Sequence, residues 1–339
     1  MTKTRVTIAD IARTSGVSPS TVSRVLNENE SAIPISAETR ARVLAAVASL
    51  GYRPNLAARA LASGRSDAVA VIVHDIADPY FSEIVRGVED VASARKYMVI
   101  VSSTDRDPVR ESEYLLRLAS FPTDGIILAA GGFIEEHAPQ VADSLIKSGT
   151  AIVGVSRHQL PIATIDIGNQ EGARQMTKHL LGLGHRHIAF LAGPDHLTTA
   201  TDRLDGYREA LRGAGLAANE VILPGDFTRE AGIQAVTRVR AQVPNVTAIF
   251  AANDKMALGC LAGLRAAGLA VPRDMSVVGF GDIPAAQDTD PPLTTVGVPL
   301  RTVGRLAMEQ VLSQLSGEAP MNQSVPSTLA LRLSAGQPR

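Results

Sequence analysis

The sequence predicts a small all-α head followed by a two-lobed α/β body with parallel sheets, and three observations carry that expectation. Residues 5–62 contain only short helix-like segments and no good strand. From Asp67 onward, apolar runs of strand length alternate with amphipathic helical stretches for more than 200 residues. That alternation is the pattern of parallel sheets covered on both faces by helices. The elements number more than ten, which exceeds one open sheet of usual size, so the body divides into two lobes. Ligands of open α/β sheets sit at the carboxyl ends of strands, so facing lobes place a pocket in the cleft between them.

In the head, Ile8, Ile11 and Ala12 recur at helical spacing behind Thr7, which can cap the helix. Gly16 breaks that helix and permits the positive φ of a tight helix-to-helix turn. Ser18-Pro19 restarts a helix, with Ser18 as N-cap and Pro19 at the first helical position, where its missing N–H costs nothing. Val22, Val25 and Leu26 share the face that packs on the first helix, which leaves Ser20, Thr21, Ser23 and Arg24 pointing outward. Hydroxyl residues with one arginine make a face that can enter a major groove and touch phosphates and base edges. A helical hairpin that only packs against a neighbour is the competing reading.

In the body, the expected strands are Ala68–Val73, Met98–Val101, Gly125–Leu128, Ala151–Val155, His187–Leu191, Val246–Ala251 and Ser276–Phe280. The expected helices are Phe81–Ala94, Val109–Ala119, Gly168–Leu181, Arg203–Arg212, Glu230–Arg240 and Lys255–Ala266.

Charge separates the two parts. The chain of 339 residues has 33 basic and 34 acidic side chains. Residues 1–65 hold nine basic against four acidic side chains, a net +5, which leaves −6 for the remainder. A basic head on an acidic body suggests a polyanion as the partner of the head. The single cysteine, Cys260, excludes a disulfide framework and reads as a buried small hydrophobe. No stretch approaches 18 consecutive apolar residues, and no apolar block of secretory length follows Met1, so a cytoplasmic protein without membrane contact is expected.

The head segment Thr7-Ile8-Ala9-Asp10-Ile11-Ala12-Arg13-Thr14-Ser15-Gly16-Val17-Ser18-Pro19-Ser20-Thr21-Val22-Ser23-Arg24-Val25-Leu26-Asn27 closely resembles that of the LacI/GalR family of bacterial transcriptional regulators. The likeness continues through Ser36-Ala37-Glu38-Thr39-Arg40 and Leu50-Gly51-Tyr52-Arg53-Pro54-Asn55, and then over the sensor region. It implies a helix-turn-helix domain over residues 1–54 and a hinge helix or linker over 55–65. It also implies a periplasmic-binding-protein-like effector and dimerisation domain over 66–339, with lobes 66–166 plus 298–327 and 167–297 plus 328–339.

By position, the resemblance implies that Pro19, Ser20 and Arg24 meet base edges, with Arg24 able to pair with a guanine in bidentate fashion. Thr7, Thr21, Ser23 and Asn27 match positions that hold the DNA backbone. The linker from Asn27 to Ser36 is longer than in other family members. Residues 55–62 resemble the hinge helix, with Asn55, Ala58 and Leu61 at the minor groove and Leu61 as the wedge. An ordinary linker helix is the alternative there.

In the body, the resemblance points to Tyr80, Phe81, Arg157, Arg203, Phe227, Asn253 and Asp282 as effector contacts. For Tyr80 and Phe81 a core role competes, and for Arg203 a surface ion pair with Asp202 or Asp205. The chain departs from its sugar-binding relatives at Gly281, where they commonly carry an aspartate, and at Gly154, a position acidic in one of them. Loss of carboxylates beside retained arginines favours an anionic effector, such as a sugar acid or a phosphorylated sugar.

The sequence has no dinucleotide or phosphate-loop glycine motif and no nucleophile elbow. His179, His185 and His187 read as a solvated turn, because no further ligand is spaced to complete a zinc set. The expectation is therefore a repressor, not an enzyme, that binds a pseudo-palindromic operator in double-stranded DNA as a homodimer. It takes no cofactor, and a small metabolite in the cleft controls it. A transporter's solute-binding protein and an α/β enzyme acting in the cleft are the rivals.

Overall fold

The computed structural model describes residues 6–26, 34–52, 65–121, 123–129, 132 and 138–339. The chain divides into two compact units, Met1–Ser66 and Asp67–Arg339.

In the first unit, α1 (Ile8–Ser15) opens with a reciprocal capping box. The Thr7 hydroxyl accepts from the Asp10 N–H, and the Asp10 carboxylate accepts from the Thr7 backbone N–H at 3.0 Å. Gly16 ends the helix at φ 67°, a left-handed conformation that costs glycine little. Ser18 then caps α2 (Pro19–Leu26) by accepting from the Thr21 N–H at 3.1 Å. The third helix, α3 (Ala37–Leu50), lays Val43 and Ala46 against Ile11, Ala12, Val22 and Val25. Those six side chains are the buried centre of a three-helix core.

The second unit holds two six-stranded sheets. The first runs β11-β5-β4-β3-β1-β2, all parallel, from β1 (Ala68–Val73), β2 (Met98–Ser103), β3 (Gly125–Leu128), β4 (Ala151–Val155), β5 (Ala163–Asp166) and β11 (Gln323–Ser324). The second runs β12-β10-β9-β8-β6-β7, from β6 (Ile188–Leu191), β7 (Val221–Leu223), β8 (Ala248–Ala251), β9 (Ser276–Gly281), β10 (Thr294–Gly297) and β12 (Thr328–Ala330). The expected parallel sheets are present, with one antiparallel pairing, between β10 and β12. The chain re-enters this lobe near its end and adds an edge strand directly, which needs no crossover helix.

Strand order shows that the chain passes between lobes three times, near residues 167–168, 298–299 and 325–327. The helices of the first lobe are α4 (Pro79–Ala94), α5 (Pro108–Ser120), α6 (Ala138–Lys147) and α11 (Leu300–Leu315). Those of the second are α7 (Asn169–Gly182), α8 (Thr198–Gly213), α9 (Arg229–Gln242) and α10 (Asp254–Ala266). Three helix pairs meet through glycine: a Cβ on Gly304 would strike the Ile84 carbonyl, one on Gly206 that of Gln170, and one on Gly259 that of Arg229. Glycine lets these backbones touch, so each pair covers its sheet as a tightly joined layer.

The apolar cores lie where strand and helix faces meet. All six residues of β1 are buried, as a strand covered on both faces requires. Cys260 is also fully buried, and burial pushes its thiol up to about 12, so it packs as an apolar side chain. His185 differs from the expected solvated turn. It is 1% exposed and bonded through its two ring nitrogens to Thr247 Oγ1 at 2.7 Å and to the Gly336 carbonyl at 2.9 Å. It pins the carboxyl-terminal segment to the second lobe. No described helix is long and apolar enough to cross a membrane.

Candidate functional site

On the head, Pro19 and Ser20 are exposed, while Thr21, Ser23 and Arg24 are half-buried. These five share the short capped helix α2, whose opposite face is locked into the core by Val22 and Val25. The Ser18 hydroxyl lies 2.8 Å from both the Ser20 and Thr21 hydroxyls, so the start of α2 carries a polar hydroxyl cluster. Thr7 is exposed, with its hydroxyl proton donated to Asp10 at 2.7 Å. Asn27, Asn55, Ala58 and Leu61 lie outside the described residues.

In the body, a pocket open to solvent lies at the carboxyl ends of the strands. It brings together Tyr80, Phe81, Arg203, Phe227 and Asn253 from the sequence expectation. Tyr80 and Phe81 open α4 behind Asp78, whose carboxylate caps the helix by accepting from the Tyr80 N–H at 3.0 Å. Their rings meet edge to face at 5.2 Å. Phe227 stands at φ 67° with its ring pressed over Gly193, where any Cβ would collide with it. The Asn253 side chain caps α10, accepting from the Met256 N–H at 2.9 Å and donating to the Phe227 carbonyl at 3.1 Å. It thereby holds the Phe227 loop to α10.

Arg203 is 4% exposed. Its Nε donates to Asn169 Oδ1 at 2.8 Å and its Nη1 to the Ala252 carbonyl at 2.6 Å, and its guanidinium lies 3.8 Å over the centre of the Phe280 ring. Burial works against its charge, and the neighbouring Tyr80 hydroxyl and Asp254 work in favour of it. Among the described residues, no carboxylate forms an ion pair with Arg203; Asp202 is turned outward to Arg157 instead, at 2.7 Å.

Sequence reasoning did not single out the other charged groups of the pocket. Arg106 Nη2 and Lys255 Nζ converge on Asp75 Oδ2 at 2.8 and 3.0 Å and stand 3.9 and 3.8 Å from Asp78 Oδ2. Asp75 is the better served of the two. Its burial is outweighed by Lys255, the Ala77 N–H and Arg106, and its carboxyl sits below the usual range. Burial prevails at Asp78 and raises it.

Asp254, 1% exposed, accepts from Thr295 Oγ1 at 2.5 Å and from the Ile283 N–H at 2.9 Å. Burial pushes it up to about 6 against those two donors. His74, Asp254 and Phe280 could have been found from position alone, because they stand at the carboxyl ends of β1, β8 and β9.

Two expected contacts lie elsewhere. Arg157 lines a neighbouring surface groove, with its side chain 60% exposed. Asp282, at φ 55°, accepts from Arg332 at 2.7 Å and borders a separate depression. The backbone is left-handed at Ser156 (φ 68°), just before Arg157, and at Asp282 itself. Gly281 stands at φ 133°, and a Cβ there would lie 3.4 Å from both Asp254 Oδ2 and Tyr80. An aspartate at this position would be strained and would face a second carboxylate. At Gly154, a Cβ would run into the His158 ring.

The arrangement can hold a small polar ligand between aromatic faces, beside a buried guanidinium that forms no ion pair among the described residues. No described group of three or more histidine, cysteine or acidic side chains is placed to hold a metal ion.

Comparison with known proteins places both parts of the chain. Residues 7–55 match the model of bacterial regulatory proteins of the lacI family, and residues 177–335 match a periplasmic binding protein-like domain. Catabolite control protein A of Priestia megaterium is 36% identical over 315 residues, covering 92% of this chain and 93% of that protein. A structure of the transcriptional regulator CelR–cellobiose complex is 33% identical with TM-score 0.70, covering 97% of this chain and 100% of the other. A lac repressor dimer bound to operator and the anti-inducer ONPF is 30% identical with TM-score 0.84, covering 98% and 100%.

Proposed function

Because the chain belongs to the lacI family of bacterial regulatory proteins, and is thus a DNA-binding transcriptional regulator, we propose that it is a repressor released or engaged by an anionic sugar derivative in the body pocket. Residues 1–54 form the DNA-reading domain in this account, 55–65 the hinge, and 66–339 the sensor. The lobes of the sensor comprise 66–166 with 298–327 and 167–297 with 328–339. A homodimer presents two heads to a pseudo-palindromic operator, one half-site each. Arg24 is the base-reading side chain, and Pro19 and Ser20 contribute shape and apolar contact. The site of action is the cytoplasm, on the nucleoid.

The relatives support a sugar-like ligand, since CelR is complexed with cellobiose. The observation that carries the finer reading is Arg203, a nearly buried guanidinium that donates to the uncharged oxygens of Asn169 and Ala252, with Asp254 acting on it only through space. A cation removed from water gains most from an opposite charge. Gly281 leaves the space beside Asp254 and Tyr80 unfilled by the carboxylate common in sugar-binding relatives. Tyr80, Phe81 and Phe227 supply apolar faces for a ring.

The ligand acts by differential affinity for two lobe arrangements. Its coupling to DNA is reciprocal: operator binding changes effector affinity by the same factor. Two measurements test this reading. Selection from a random DNA pool by the purified protein, at fixed salt, should enrich a pseudo-palindrome. Calorimetry against D-gluconate, D-glucuronate, glucose 6-phosphate, D-glucose and cellobiose should give tighter binding by an acid. Tight binding of a neutral sugar with no acid binding sinks the anionic assignment and leaves the regulator intact.

A further inference from the structure

Arg203 does not hold its place alone. Its Nε donates to Asn169 Oδ1 at 2.8 Å, and the other end of the same amide, Nδ2, donates to Ser156 Oγ at 3.1 Å. All three residues are nearly sealed from water, with Asn169 2% and Ser156 1% exposed. The two ends of this relay belong to different lobes. Ser156 follows β4 in the first lobe, where its N–H donates to the Ile165 carbonyl at 2.8 Å. Asn169 is the first residue of α7 in the second lobe, directly after the first interlobe passage. That passage is tied in turn to the third, because Ser327 Oγ donates to the Gly168 carbonyl at 3.3 Å.

Other contacts span the lobes: the buried Thr198 hydroxyl donates to the Arg157 carbonyl at 2.8 Å, Tyr80 of the first lobe is hydrogen-bonded to Arg203, and two ion pairs lie nearer the surface. Arg157–Asp202 and Lys255–Asp75 are ion pairs with side-chain exposures from 17 to 60%, where water and salt can replace either partner. The Ser156–Asn169–Arg203 relay has no water to substitute for a lost bond, so any relative movement of the lobes must break or rebuild it. An amide suits the task because it accepts at one end and donates at the other.

We propose that Asn169 is a positioning residue for effector binding: it orients the Arg203 guanidinium toward the ligand and ties that guanidinium to the first lobe through Ser156. Capture of the ligand and fixing of the lobe arrangement are then one event, and its readout is operator affinity. The proposal rests on the reading of Arg203 as the effector's partner.

The test uses full-length protein, the selected operator, and whichever of D-gluconate, D-glucuronate and glucose 6-phosphate binds the wild type most tightly. Asn169→Asp places a carboxylate on Arg203 and should weaken acid binding about tenfold or more. Ser156→Ala leaves the Arg203–Asn169 bond in place. It should keep acid affinity within about threefold while cutting the acid's effect on operator affinity about fivefold or more. Ser156→Thr, which restores the hydroxyl, should recover that effect.

A lowered melting temperature with binding and coupling reduced together in Ser156→Ala assigns the relay to stability alone and overturns the proposal. Loss of acid binding in Arg203→Ala, together with wild-type coupling in Ser156→Ala and wild-type affinity in Asn169→Asp, overturns this proposal and spares the Arg203 reading. Undiminished acid binding in Arg203→Ala, or no binding by any of the three acids to the wild type, overturns both.

Discussion

The guanidinium of Arg203 rests 3.8 Å above the centre of the Phe280 ring. Phe280 lies on β9, and its ring gives the buried charge a polarisable floor without neutralising it. The hydrogen bonds to Asn169 and Ala252 fix the plane of the guanidinium, which leaves an oriented donor group for a ligand. Arg203→Ala should therefore weaken binding of the sugar acid by about 2–4 kcal/mol. Arg203→Lys should recover only part of this, since a point charge lacks the planar fork. Calorimetry on the three proteins decides it, and equal affinities contradict the role.

Asp254 predicts a dependence of stability on pH. Its value in the folded state, about 6, lies above the ordinary 3.8, so the native protein holds this proton more tightly than the unfolded chain. The contribution is most favourable below about pH 4 and is lost as pH rises toward 6, by roughly 3 kcal/mol in all. Urea unfolding of wild type and Asp254→Asn at pH 4 and pH 7 isolates this group from the other carboxylates. The advantage of wild type over the variant should shrink across that interval. A constant difference would show that Asp254 does not titrate there.

Asp282 and Gly281 make a paired prediction. Asp282→Asn, a residue that tolerates the left-handed backbone, removes the charge opposite Arg332 and should cost about 1 kcal/mol of stability or less. Acid affinity should stay within about twofold. Gly281→Asp should instead destabilise by about 1–3 kcal/mol through strain and weaken acid binding through its charge. A variant at Asp282 that lost the ligand would return this residue to the pocket.

Much of the fold was legible because several strands are continuous apolar runs. Ala68–Val73, Gly125–Leu128 and Ala151–Val155 coincide in sequence and structure to the residue. The strands at Ala163–Asp166, Val221–Leu223 and Thr294–Gly297 escaped, being short or rich in threonine, so that their neighbours rather than their own pattern decide their state. The helix Leu300–Leu315 also escaped, although Val303, Gly304, Ala307, Met308 and Val311 bury one face at helical spacing.

In the pocket, Tyr80, Arg203 and Asn253 are legible through the family resemblance, and each sits in or just before the first turns of a helix that follows a strand. Arg157 and Asp282, implied by the same resemblance, line other depressions, and the left-handed backbone beside the one and at the other leaves no mark in residue spacing. Asn169 carried no signal either: its importance lies in joining two residues 13 and 34 positions away.

On the head, Arg24 shares α2 with the buried Val22 and Val25, which fix the orientation of that helix. Arg24→Ala should weaken operator binding by about 1–3 kcal/mol and relax one base position. Fluorescence anisotropy with the selected operator and with base-substituted copies reads both effects. An equal loss on random DNA would identify a phosphate contact instead.

The central claim is that occupancy of the Arg203 pocket by an anion sets operator affinity. The most direct measurement titrates the selected operator with wild type and Arg203→Ala, each with and without saturating sugar acid, at one salt concentration. A shift of wild-type operator affinity by about 5- to 150-fold, absent in Arg203→Ala, is the predicted result. Identical operator affinity with and without bound acid, or an equal shift in both proteins, would contradict the account.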